Sequence, residues 1–164
     1  MTPPLARENR RHETSLGRLS VAFVAGFVAV LLFHQPALAM LHAVGITPLG
    51  AYPMQPTAPF DVPRVFSLAL WGGVWAVPLA LLLARIPAAG YWLTALAFGA
   101  LGPSLVNWLV VLPLKGAPVG GGWHPSGIVT ALLINAAWGL GTALLLWWSA
   151  GWPHPRERAA APRS

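Results

Sequence analysis

Residues 19–41 read LSVAFVAGFVAVLLFHQPALAML, an apolar run without a single Asp, Glu, Lys or Arg. A helix needs about 20 mainly apolar residues to cross a hydrocarbon core about 30 Å thick, and this run supplies them. Working outward, three further runs have the same property, over about 65–84, 91–112 and 127–148. The pattern predicts an all-α membrane protein with four transmembrane helices packed as an antiparallel bundle. It divides the chain into a basic cytoplasmic tail over 1–18, a four-helix transmembrane domain over 19–149 and a cytoplasmic tail over 150–164.

Composition supports this division. Hydrophobic residues make up 56% and charged residues 9% of the 164 positions, against roughly 25% charged in an ordinary soluble domain. Too few charges remain to cover a water-facing surface, so lipid must cover it. The net charge of +6 invites a nucleic-acid reading. The placement of the basic residues argues against it, because all of them lie in tails, links or helix ends, where anionic headgroups attract them. No nucleic-acid partner is expected, and the bilayer is the first partner. Cysteine is absent, which removes disulfides, thiolate catalysis and cysteine metal sites.

Orientation follows from Arg and Lys, which resist translocation. Arg7, Arg10, Arg11, Arg18, Arg85, Arg156, Arg158 and Arg163 fall on one side of a four-span chain, and only Arg64 and Lys115 on the other. Both termini are therefore expected in the cytoplasm. Tyr91, Trp92, Trp147, Trp148 and Trp152 gather at the predicted inner boundary and Trp123 at the outer one, as interfacial aromatics do. The predominance of Arg over Lys, amid abundant Ala, Gly and Pro, points to a bacterial source and so to the bacterial inner membrane. A basic lead, an apolar run and Ala37-Leu38-Ala39 also resemble a signal peptide, but apolar character resumes at Ala37, which favours an uncleaved first span. The segment through Arg18 is read as disordered and resting on anionic lipid.

The outer loop over 46–62 carries Pro48, Pro53, Pro56 and Pro59, which forbid a helix, and its Tyr52, Met54 and Phe60 predict a lid folded onto the bundle mouth. The link over 115–125 contains Gly120-Gly121-Gly122 and reads as flexible. At an offset of 67 residues Pro36 falls on Pro103 and Trp71-Gly72 on Trp138-Gly139, so a pair of related hairpins is a variant of the four-helix reading.

Small residues four apart let helices approach closely in a bilayer. Gly72, Ala76 and Ala80 mark such a seam on the second span. Ala131, Gly139 and Ala143 mark another on the fourth, and Ala95 and Gly99 one on the third. The polar residues His34, Gln35, Ser67, Asn107, Thr130 and Asn135 lie in the spans near these seams. A bare amide or imidazole in lipid costs several kcal/mol, so these six are expected to meet inside the bundle as a buried polar cluster. Pro36, Pro78 and Pro103 should each kink a helix and free the carbonyl four residues back, that of Leu32 for Pro36. Gln35 points about 100° from His34 on an ideal helix and is expected to be a poor partner for it, with Asn107 better placed.

Candidate chemistry is thin. His34, His42 and His124 with Met40 and Met54 could suit copper, yet His34 and His42 diverge by nearly 80° on a helix. No metal site, cofactor or catalytic residue is assigned. Asp61 and Glu157 are predicted on opposite sides of the membrane, so no acid–base couple forms, and no enzymatic activity is expected.

Phe33-His34-Gln35, Pro56-Thr57-Ala58-Pro59-Phe60 and Trp138-Gly139-Leu140-Gly141-Thr142-Ala143 together give a chain that resembles a family of small bacterial four-helix inner-membrane proteins with no assigned activity. The resemblance implies an architecture and carries no site residue. Two functions fit the sequence. One is a non-enzymatic subunit or assembly partner that binds its own copy or another membrane protein. The other is a homo-oligomeric channel or small-solute transporter with a polar outer vestibule. The charge distribution makes a first test. Reporters fused after Gly90 and after Arg158 should read cytoplasmic and one inserted at Thr57 external. An external C-terminus would overturn the four-span topology.

Overall fold

The computed structural model describes residues 4–58 and 60–149, with side chains from Ser15 onward. Helix α1 runs over Pro4–Ala29, passes through a π-helical segment Val30–His34, and continues as α2 over Gln35–Ala43. A two-stranded antiparallel ribbon follows, β1 Pro56–Thr57 and β2 Val62–Pro63, and then α3 over Arg64–Leu83. Helix α4, Tyr91–Val106, leads through a second π segment, Asn107–Val111, into the short α5, Leu112–Leu114, and α6 spans Pro125–Trp148. Four stretches are long and apolar enough to cross a membrane: Ser15–Ala43, Arg64–Leu83, Ala88–Leu114 and Pro125–Trp148. This is a polytopic membrane protein, and each span lies over a run read from the sequence.

The N-terminal segment differs from its sequence reading. The helix starts at Pro4, so residues 4–14 are helical and run without a break into the first span, Ser15–Ala43. The physical reason is that Leu, Ala, Arg and Glu are good helix formers, and extending an existing helix avoids the cost of nucleation. Residues 150–164, read as the second tail, lie outside the described residues.

Packing is organised by glycine. Helix α1 lies against α3, and α4 against α6. A Cβ on Gly26 would overlap Ala76 and the carbonyl of Gly72, and one on Gly72 would overlap Val30. In the second pair, a Cβ on Gly99 would stand 2.7 Å from the Asn135 carbonyl oxygen and 2.8 Å from Gly139 Cα. Only hydrogen fits between these backbones. Among the sequence-assigned seam residues, Ala76, Ala80, Ala95 and Ala143 are buried in this core. Gly26, the first span's contribution, escaped the sequence reading, although Ala22 and Val30 flank it at the same spacing of four.

The two long outward stretches share a local device. Each π segment is followed, at the second residue after it, by proline: Pro36 after His34 and Pro113 after Val111. A proline ring clashes with the carbonyl four residues back and offers that carbonyl no N–H. Inserting one residue as a π turn moves the carbonyl away. Pro36 is thus matched structurally by Pro113, not by Pro103 as the 67-residue offset has it. That offset also pairs Trp71, which is 60% exposed, with Trp138, which is 2% exposed. Pro78 and Pro103 lie inside α3 and α4, which continue through them.

The glycine link, read as flexible, is an ordered left-handed turn. Gly120, Gly121 and Gly122 take φ of 65°, 63° and 77°, which side chains with a Cβ rarely adopt. The Trp123 ring packs onto Gly120 where a Cβ would sit and meets Trp108 edge-on at 5.7 Å.

These seams give a paired test. Gly99→Ala should lower stability by about 1–3 kcal/mol, the range for overpacking. Gly127→Ala, with nothing within 4 Å of the added carbon, should be neutral or slightly stabilising. Thermal melting in detergent reads both, and equal melting temperatures for the two variants would remove the seam.

Candidate functional site

The six polar residues expected to form one cluster separate into two bonded groups with outliers. The first group joins α4 to α6. Asn135 Nδ2 donates to Ser104 Oγ at 2.9 Å, and Ser104 Oγ donates to the Ala131 carbonyl at 3.4 Å. Asn135 therefore lies at a helix seam. Its partner is Ser104, which is fully buried. Pro103 lies inside α4 one residue before Ser104, and it is Ser104 that ends on the α6 side. Asn107 and Ser67 are half-buried and join neither group.

The second group lies where α1 becomes α2. Gln35, also fully buried, accepts the Tyr52 backbone N–H on Oε1 at 2.7 Å. Its Nε2 lies 3.4 Å from His34 Nδ1. Gln35 is thus the partner of His34 that the ideal-helix angle argued against, because the wider π turn reduces the angle between neighbours. The same turn corrects the freed carbonyl. Gln35 N–H bonds to Val30 O, a five-residue step, so in this register proline at 36 orphans Leu31 and not Leu32. The Leu31 carbonyl accepts the Tyr52 hydroxyl at 2.9 Å.

Tyr52 therefore ties the proline-rich loop to the first span at two points. The loop also caps α3. The Gln55 carbonyl accepts Arg64 N–H and the Pro53 carbonyl accepts Val65 N–H, both at 2.9 Å. These are first-turn donors that lack an intrahelical partner. Further along, His42 Nδ1 lies 3.1 Å from the Thr47 carbonyl, so His42 is engaged locally as a donor.

Two more polar bonds cross between helices. Trp138 Nε1–H donates to the Gly26 carbonyl at 3.0 Å, and the Tyr91 hydroxyl donates to the Ala143 carbonyl at 2.9 Å. Sequence reasoning noted both aromatics without assigning them these roles. The signal available was their position beside small residues, Trp138 next to Gly139, where a helix comes close enough for a ring nitrogen to reach backbone. Tyr91, Trp92 and Trp147 form an aromatic group with ring centroids 5.3 to 5.9 Å apart. Thr130 and Thr142 are buried on α6, and their hydroxyls have no hydrogen-bond partner. Among the described residues no three His, Asp or Glu side chains gather. No family model, curated protein or solved structure matches the chain.

What the arrangement does chemically is hold helices and a loop in place. Ser104→Ala should cost about 0.5 to 2 kcal/mol, the range of interhelical hydrogen bonds in bilayers. Asn135→Leu should cost no less, because it leaves Ser104 buried with one partner fewer. A double-mutant cycle read by thermal melting should give a non-zero coupling, and strict additivity would break the assignment.

Proposed function

We propose that the protein is a non-enzymatic subunit or assembly partner of the bacterial cytoplasmic membrane, with both termini in the cytoplasm. One observation carries this reading. The polar groups that bond between elements of the bundle are spent on architecture: Asn135 on Ser104, Trp138 on Gly26, Tyr91 on Ala143, and Gln35 on the loop. A transport path needs polar groups that face a passing solute, and these face one another. The basic residues on one side support the orientation. The bilayer and either a second copy or another membrane protein are the partners this role calls for.

Thr130 and Thr142 favour a second reading. Their buried, unpaired hydroxyls on α6 are the polar groups an internal track would use, so a homo-oligomeric channel or small-solute transporter is the alternative. Four helices are few for a pore, and transport would require several copies.

Mild-detergent purification with native mass spectrometry separates the two. The accessory role predicts a stoichiometric foreign membrane protein whose assembly fails when this chain is deleted. A homo-oligomer that makes liposomes leak solute, with the leak altered in Thr130→Val and Thr142→Val, would overturn it in favour of transport.

A further inference from the structure

We propose that His34, Gln35 and Tyr52 form a proton-operated latch that holds or releases the proline-rich loop, whatever partner the protein has. The inference begins with hydrogen-bond directions. A backbone N–H can only donate, so the Gln35 atom 2.7 Å from Tyr52 N is its oxygen. The amide nitrogen must then face His34 Nδ1, at 3.4 Å, and an amide NH2 can only donate. His34 Nδ1 is therefore an acceptor, and the imidazole carries its proton on Nε2. Three groups are fixed in sequence: the loop backbone orients the amide, and the amide selects the tautomer.

Adding a proton to His34 breaks that order. An imidazolium carries N–H on both nitrogens, so Nδ1–H would point at the Gln35 NH2, donor against donor. Gln35 can relieve the conflict by turning its amide over. Its oxygen then serves His34, and its NH2 faces Tyr52 N–H, where the same conflict reappears. A single amide oxygen cannot serve both in these positions. Either His34 is neutral and the loop is tied, or His34 is charged and the Tyr52 N–H loses its acceptor. By linkage, acid favours the released loop.

Two further observations make release a discrete step. Tyr52 sits at a φ of 51°, a left-handed conformation that a residue with a Cβ adopts at a cost. Its two bonds, to Gln35 and to Leu31, hold it there, and losing one weakens the hold on both. The loop is also bonded to the start of α3 through Pro53 and Gln55, so release frees the segment around Tyr52 while β1 and β2 stay with α3.

Few other charges intervene. Helix α6, which packs on the π segment, contains no titratable residue. On the first span the described titratable groups are Arg18 and His42, and His42 is engaged with Thr47. Helix α3 contributes Arg64 at its first turn, and the loop contributes Asp61 and Tyr52 itself, whose hydroxyl is bound to Leu31.

The chain has no cysteine, so spin labels can be placed without background. Labels on Ala51→Cys, beside the latch, and Met40→Cys, an exposed position on α2, report the loop-to-helix distance in nanodiscs by pulsed dipolar spectroscopy. Between about pH 8 and about pH 3, a range wide enough to charge a buried imidazole, a single narrow distance should give way to a broader and longer population. His34→Gln does not titrate there and should keep the narrow distance throughout. Gln35→Glu is the decisive variant. A carboxylate has two acceptor oxygens, one for Tyr52 N–H and one for the imidazolium, so the latch should stay closed in acid with His34 intact. An unchanged wild-type distance over the whole range overturns the proposal, and so does an acid transition that persists in His34→Gln or in Gln35→Glu.

Discussion

The contact on which the rest of the structure depends is the backbone approach of Gly26 and Gly72, sealed by the indole of Trp138. In lipid, apolar surface gains nothing by leaving its surroundings, so helices associate through dispersion at short range and through hydrogen bonds. Both terms are met at one point. The glycines let α1 and α3 come within overlap distance of any added Cβ, and the Gly26 carbonyl accepts Trp138 Nε1–H from α6. Three helices are thereby registered against one another. The second glycine pair, Gly99 and Gly139, fixes α4 on α6 and brings Ser104 within reach of Asn135.

From this frame the placement of the loop follows. With Gly26 opposite Gly72, the first turn of α3 comes to about the height of Gln35, nine residues beyond Gly26 at about 1.5 Å each. The chain leaving α2 at Ala43 must therefore double back along its own helix before α3 can begin. Irregular backbone at such a position requires internal partners. It has them in Gln35, in the carbonyl orphaned by Pro36, and in the first-turn donors of α3. The proline that disrupts the first span and the tyrosine that docks on the disruption are two halves of one arrangement.

The spans were legible in the sequence because a hydrocarbon core imposes a length and forbids charge, and both constraints are local. Asn135 at a seam was legible for a related reason: an amide flanked by Ala131 and Gly139 has no good alternative. The partners were not legible. That Asn135 meets Ser104, and Gln35 meets Tyr52, depends on how a proline shifts helical phase, and periodicity counted at 3.6 residues per turn does not contain a π turn. The single extra residue at Val30–His34 moved the orphaned carbonyl from Leu32 to Leu31 and turned Gln35 toward His34. Gly120-Gly121-Gly122 misled in the opposite direction, since composition alone does not distinguish a flexible link from a left-handed turn that favours glycine.

The unequal lengths of the spans bear on the bilayers in which this protein can sit at ease. The first and third candidate spans have 29 and 27 residues and the second has 20. At about 1.5 Å per residue, the second is about as long as an average hydrocarbon core is thick, whereas the other two exceed it. Long helices adapt to a thinner membrane by tilting, but a short one cannot lengthen for a thicker one. Helix α3 begins at Arg64, and Arg85 follows its last turn, so a thicker bilayer would draw a guanidinium toward the acyl chains. Hydrophobic mismatch therefore acts on this protein through a single helix, and the membrane would have to thin around α3 before it disturbed the other three.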